Sequence, residues 1–138
     1  MAPNSEAMIL AVLDRTSERF LARDLDGLLE LFSPDEDILL AGSEMGEVAR
    51  GREDIRSSLV ELFGRPEAYS FQWDTRNVSA NGDVAWVFAE GSVAVHQDDG
   101  AIERLPYRMS GVLQRVGNQW LWRMFVGSEP VAAEGGDR

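Results

Sequence analysis

Two charged residues stand in segments of the chain that are otherwise mainly apolar. Glu90 lies in the run from Val84 to His96, and Arg123 lies in the last apolar run. A carboxylate in an apolar cavity has a raised pKa and can act as an acid or base near neutral pH. An arginine there can hold a carboxylate or an enolate-like oxygen through paired donors. Glu90 and Arg123 are therefore the candidate catalytic residues. The alternative is a structural ion pair, or side chains at a solvated sheet edge.

The chain carries few other groups that could do chemistry. His96 is the only histidine and lies next to a turn, so it is either an acid–base group or simply exposed. There is no cysteine, which excludes a disulfide, a thiolate metal site and a cysteine nucleophile. With a single histidine we predict no metal site, and without a glycine-rich phosphate loop we predict no cofactor. There is also no lysine for Schiff-base chemistry.

Aromatic residues are concentrated in the second half of the chain. Four tryptophans offer flat apolar walls that suit a ring-shaped or hydrophobic ligand, and the alternative is that they build the core and a subunit interface. The predicted ligand-binding residues are Phe20, Trp73, Trp86, Glu90, Tyr107, Met109, Arg123 and Phe125.

Composition limits the class of protein. A chain of 138 residues with 44% hydrophobic content predicts one domain, placed at 5–130, with a frayed tail at 131–138. The net charge of −11 argues against nucleic acid and anionic membranes as partners. No apolar run is long enough to span a bilayer, and the N-terminus does not resemble a signal peptide. These features fit a cytoplasmic protein.

Apolar residues at helical spacing predict three helices in the first half of the chain. The first runs from Ser5 to Arg23. A second, shorter helix follows the capping residue Asp24 and ends before Pro34, because proline cannot continue the helical hydrogen bonds. The third runs from Gly51 to Phe63. Between the last two helices we predict a short strand and its hairpin partner, at Ile38 to Ala41 and Glu47 to Arg50.

Four long strands are predicted to follow, joined by short turns such as Asn81-Gly82. They span Tyr69 to Ser79, Val84 to His96, Ile102 to Val116, and the run from Trp120 to Val126. The alternation of side chains places Tyr69, Phe71, Trp73 and Thr75 on one face of their strand. In the last strand it places Trp122 on one face and Phe125 on the other.

Both faces of the second and fourth long strands are apolar. The helices can cover only one face of a sheet, so either Trp86 with Phe88 or Trp120 with Trp122 would be left in water. We therefore predict a homodimer formed through the convex side of the sheet.

Segments spread along the chain carry a resemblance to a known family. They are Arg19 to Asp26, Gly51 to Ile55, Asn81 to Trp86, Tyr107 to Leu113, Trp120 to Arg123 and Gly127 to Pro130. From Ser5 to Pro130 the chain resembles the SnoaL-like branch, related to ketosteroid isomerases, of the nuclear-transport-factor-2-like superfamily. The resemblance implies an α+β fold: a curved antiparallel sheet, or cone, with three N-terminal helices packed on its concave face and a cavity in its mouth.

The resemblance implies a range of functions, because this superfold carries isomerases, cyclases, dehydratases and non-catalytic modules. The steroid-isomerase residues do not carry over: the first strand contains Leu39-Leu40 rather than an acid, and Phe20 and Met109 replace the tyrosine and the protonated aspartate. We expect a small hydrophobic or aromatic molecule to bind in the cone, with or without acid–base isomerase, cyclase or dehydratase chemistry. The alternative is a non-catalytic dimerisation or association module of the same fold.

Overall fold

The computed structural model describes residues 3–44 and 46–132. Its helices are α1 (Pro3–Ala22), α2 (Leu25–Leu29) and α3 (Arg52–Phe63). Its strands are β1 (Leu39–Ala41), β2 (Val48–Arg50), β3 (Ala68–Asn81), β4 (Val84–His96), β5 (Ile102–Val116) and β6 (Gln119–Ser128). The predicted helices and strands are confirmed; β4 and β5 have the predicted ends, and the ends of the others differ by a few residues. Of the tail predicted at 131–138, residues 133–138 lie outside the described residues.

The six strands form one curved sheet in the order β2-β1-β6-β5-β4-β3. Neighbouring strands are antiparallel, except that β1 runs parallel to β6. The predicted α+β architecture is therefore confirmed, and the parallel contact is an addition to it. Within the described residues, no helix is both long and apolar enough to cross a membrane.

The helices cover one face of the sheet, which we call the inner face. On β4 the buried side chains Ala85, Val87 and Ala89 lie on it, while the exposed Trp86 and Phe88 lie on the opposite, outer face. The predicted apolar stripe of α1 is buried against the inner face, and it consists of Ile9, Val12, Leu13, Thr16 and Phe20. The core therefore lies between the helices and this face.

Two bulges change which side chains face the core. In β3 the register shifts between Trp73 and Thr75, which leaves Asp74 as an extra residue. Thr75 then pairs with Glu90 on the outer face. The prediction that Trp73 and Thr75 share a face is wrong, because the extra residue reverses the alternation. Val78 consequently packs against the core.

The second bulge lies in β6, where Arg123 is the extra residue. Leu113 pairs with Trp122, whereas the preceding Val112 pairs with Met124. The rings of Trp122 and Phe125 therefore meet edge to face, with centroids 5.1 Å apart. The prediction that these two rings face opposite ways is wrong for the same reason as in β3.

Trp122 joins the sheet to the helical layer and is completely buried. Its backbone N–H donates to the carbonyl of Leu31, and its own carbonyl accepts from the N–H of Ser33. Its indole N–H donates to the hydroxyl of Thr16 at 2.9 Å, and that hydroxyl donates to the carbonyl of Val12 at 2.7 Å. Trp120 is buried as well. Of the two aromatic pairs that could have been left in water, only Trp86 with Phe88 is therefore exposed.

We expect Thr16→Val to destabilise the protein by about 1–3 kcal/mol, because it leaves the buried indole N–H of Trp122 without an acceptor. Thr16→Ser keeps the hydroxyl and should lose much less. Thr75→Val, which makes the same change at an exposed position, is the matched control. Urea unfolding curves of the three variants give the comparison. Equal losses in Thr16→Val and Thr75→Val would contradict the assigned hydrogen bond.

Candidate ligand-binding site

A cavity of about 230 Å³ opens between the inner face, α1, α3 and the loop that joins β1 to β2. Its deep wall is apolar and consists mainly of Phe20, Leu59, Phe71, Val93, Leu105 and Phe125. Polar side chains line the more exposed part, and they include Ser43, Glu47, Ser58, Glu61, Arg65, Tyr69 and Glu129. Tyr107 is a buried polar residue of the lining. The cavity therefore has an apolar interior and a polar mouth.

Hydrogen bonds between α1 and β3 set the position of the deep wall. The N–H of Phe71 donates to the hydroxyl of Ser17 at 2.8 Å, and that hydroxyl lies 3.1 Å from the carbonyl of Phe71. The contact brings α1 against β3, so that Phe20 and Phe71 meet edge to face with centroids 5.3 Å apart.

Five aromatic rings form a continuous cluster around Phe71, which we call the aromatic cluster: Phe20, Phe71, Trp73, Tyr107 and Phe125. Trp73 stacks on Phe71 with an interplanar angle of 5°, and Tyr107 stacks on it with a centroid separation of 5.6 Å. Pairs of rings in offset-stacked or edge-to-face contact contribute stability beyond that of their buried area. The cluster thus gives the cavity a fixed aromatic wall.

Tyr107 is the polar member of the aromatic cluster and is about nine-tenths buried. Its hydroxyl lies over Gly127, where a Cβ atom would collide with it, so the absence of a side chain at Gly127 makes room for the phenol. Burial raises the pKa of Tyr107, the negative charges of Glu47 and Glu129 raise it further, and a hydrogen bond with Ser43 acts in the opposite direction. The phenol is therefore a protonated donor at neutral pH.

The charged groups at the mouth are held by local contacts. The carboxylate of Glu47 accepts from the N–H of Glu44 at 2.9 Å. The pKa of Arg65 is raised, first by a hydrogen bond with Tyr69 and then by the nearby charges of Glu47 and Glu61. Arg65 is therefore already engaged by neighbouring groups.

Three of the eight predicted ligand-binding residues line this cavity: Phe20, Tyr107 and Phe125. Trp73 lies one ring further away, behind Phe71. Met109 is on the inner face but is packed in the core with 1% of its surface exposed.

Trp86 and Glu90 lie on the outer face, away from the cavity. Glu90 is half exposed there and forms an ion pair with Arg108 at 3.3 Å. The alternation in β4 was predicted correctly, but the outer face carries its large residues because the helices pack on the small ones. Glu90 is therefore not in the apolar cavity where it was expected.

Arg123, at the β6 bulge, also lies outside the lining of the cavity. Its guanidinium forms an ion pair with Asp35 at 3.1 Å. The N–H of Asp37, followed by the guanidinium of Arg123, lowers the pKa of Asp35 below its ordinary value. This geometry is that of the structural ion pair given above as the alternative for Arg123.

His96 hydrogen-bonds to Ser70 at 2.9 Å, and neither residue lines the cavity. Across the residues that the structure describes, no group of three or more histidine, aspartate or glutamate side chains is placed to hold a metal ion.

Several lining residues were not among the predicted site residues. Tyr69 and Phe71 share the face of β3 that carries Trp73, so strand alternation could have identified them. Glu47 and Glu129 reach the mouth from two separate loops, and no pattern in the sequence brings them together.

The SnoaL-like domain family model matches residues 9–132, and the chain belongs to that family. The fold is that of the nuclear-transport-factor-2-like superfamily. No curated protein matches the sequence significantly.

Solved structures similar to this chain differ in their assigned roles. A protein of this superfamily from Streptomyces avermitilis, provisionally called a dehydratase, is 17% identical, with a TM-score of 0.83 over 95% of this chain and 100% of its own. A protein from Novosphingobium aromaticivorans that is provisionally called an aromatic ring hydroxylase is 18% identical, with a TM-score of 0.80 over 95% of this chain and 93% of its own. A protein from Thiobacillus denitrificans that is provisionally called a calcium/calmodulin-dependent protein kinase type II association domain is 16% identical, with a TM-score of 0.74 over 88% of this chain and 94% of its own. At these identities the similarity shows the fold.

We expect Tyr107 to ionise above its ordinary pKa of 10.0. The pKa of Tyr107 is higher in the folded protein than in the unfolded chain. Tyr107 therefore contributes stability at pH values below the unfolded-state pKa, and this stability is lost as the pH rises through the folded-state pKa. The chain has two tyrosines, so ultraviolet titration of the Tyr69→Phe variant follows Tyr107 alone. Ionisation at or below the ordinary value would contradict the described burial.

Proposed function

We propose that the cavity binds a small, largely apolar organic molecule that carries a ring. The aromatic cluster beside a cavity of about 230 Å³ is the observation that carries this proposal. An apolar cavity of roughly 150 Å³ is already large enough to bind benzene. The available volume therefore suits a ligand of one or two rings.

Tyr107 is the group that we propose for polar contact with the ligand. Its protonated hydroxyl is suited to donate a hydrogen bond to a ligand oxygen. Acid–base chemistry of the isomerase, cyclase or dehydratase type would also need a base, and Glu47 and Glu129 are the carboxylates whose charges reach that hydroxyl. This set replaces Glu90 and Arg123 as the proposed reactive groups, since those two are paired with charges outside the cavity.

Filling the cavity tests the binding proposal. Ser58 lines the cavity from α3, whereas the adjacent Ser57 is exposed and outside the lining. We expect wild-type protein to bind β-naphthylmethanol with one-to-one stoichiometry in titration calorimetry. Ser58→Trp should abolish this binding because the indole occupies the cavity, and the matched Ser57→Trp should leave it intact. Binding that is equal in both variants would contradict the proposed site.

The second candidate function is a dimerisation or association module, and the outer face favours it. Across β1, β6, β5 and β4, one outer-face row consists of Leu39, Met124, Val112 and Trp86, and the next of Ala41, Val126, Ser110 and Phe88. Trp86 and Phe88 are 49% and 41% exposed. On β1, β6, β5 and β4 these rows carry no charge although the chain has a net charge of −11, so two copies can meet there with little electrostatic repulsion. The exposed Arg50 borders the first row on the edge strand β2. We propose a second copy of this chain as the occupant, in a twofold contact.

Light scattering tests the dimer. We expect twice the 15.3 kDa chain mass at micromolar concentration. Trp86→Glu should give monomers, because it places a negative charge in the apolar contact. Val60→Glu is the control, since Val60 is also an exposed apolar residue, 55% exposed on α3, and gains the same charge. A wild-type mass near that of one chain would overturn the proposal.

A further inference from the structure

The charges around the cavity have an uneven distribution. Among the described residues, the charged side chains of the lining are four glutamates (Glu44, Glu47, Glu61 and Glu129) and one arginine (Arg65). Glu47 and Glu129 act on the buried hydroxyl of Tyr107, so their negative charge reaches the inner part of the mouth. The potential at the entrance is therefore negative, in a chain that is acidic as a whole.

Arg65 does not reverse this potential. Tyr69 and the negative charges of Glu47 and Glu61 raise the pKa of Arg65, so its guanidinium already interacts with these neighbours. A ligand carboxylate that approached Arg65 would have to compete with these groups and would meet the repulsion of the remaining glutamates.

The aromatic wall of the cavity also favours positive charge. Phe71 and Tyr107 stack with an interplanar angle of 29°, and both line the cavity. The faces of aromatic rings attract cations, and this attraction strengthens where water is excluded. Carboxylates and aromatic faces thus act in the same direction on the charge of a ligand.

We propose that the preferred ligand of the cavity is a cyclic or aromatic amine that is cationic at neutral pH. Its ring lies against the aromatic cluster, and its ammonium group lies at the mouth near Glu47 and Glu129. An acid of the same shape binds more weakly. This inference rests on the proposed binding of an apolar ring-bearing molecule and adds the charge class of that molecule.

Three probes of nearly equal shape separate the effect of charge from that of the ring: β-naphthylmethylamine, β-naphthylmethanol and β-naphthoic acid. We expect the amine to bind roughly five- to tenfold more tightly than the alcohol, and the acid to bind more weakly than the alcohol. The advantage of the amine should shrink at high salt, because partly exposed charges are screened. Titration calorimetry at neutral pH gives the three dissociation constants.

Glu47→Gln and Glu129→Gln assign the effect to the mouth. In Glu47→Gln the amide oxygen of the new side chain can still accept from the N–H of Glu44, so the loop contact is preserved. We expect each variant to weaken binding of the amine severalfold and binding of the alcohol much less. Glu30→Gln removes the same charge at an exposed position outside the lining and should change neither.

The outcomes test the charge class of the ligand separately from the proposal that the cavity binds a ring-bearing molecule. If the alcohol binds and the amine binds no better, the charge class is wrong while the ring-binding cavity stands. Tighter binding of the acid would make Arg65 the anchor and would also overturn the charge class. If none of the three probes binds, the proposed function fails and this inference fails with it.

Discussion

The hydrogen bond from the buried indole of Trp122 to Thr16 ties the two layers of the protein together. The backbone of Trp122 also pairs with the segment after α2, at Leu31 and Ser33. One residue near the end of the chain thus connects β6, α1 and the α2 segment. Leaving a buried N–H without an acceptor costs stability, so the packing of α1 on the sheet that brings Thr16 to the indole of Trp122 is favoured.

The position of α1 in turn determines the cavity. Ser17 follows Thr16 and holds the backbone of Phe71, and Phe20 lies one helical turn further on, against Phe71 and Phe125. The bulge at Arg123 completes the arrangement, because it turns Phe125 to the same side as Trp122. The same bulge leaves Arg123 to pair with Asp35 outside the cavity lining. An aromatic wall and a structural ion pair therefore have one local cause.

The sequence predicts the elements well, because periodicity and turn residues are local signals: β4 and β5 have the predicted ends. It predicts the site in part. Phe20, Tyr107 and Phe125 reach the cavity, but the roles expected of Trp86 and Glu90 depended on which face of β4 meets the helices, and alternation alone cannot decide that. The bulges at Asp74 and Arg123 leave no mark in the hydrophobic pattern. Glu47 and Glu129 come together only through the parallel pairing of β1 with β6, which joins distant parts of the chain.

The central claim is that the inner cavity, rather than the apolar outer face, receives the ligand. Nuclear Overhauser contacts between bound β-naphthylmethanol and the protein's aromatic rings test it most directly. We expect contacts from the naphthalene protons to the rings of Phe71, Tyr107 and Phe125. Contacts to Trp86 and Phe88 alone would contradict it, because those rings lie on the opposite face of the sheet.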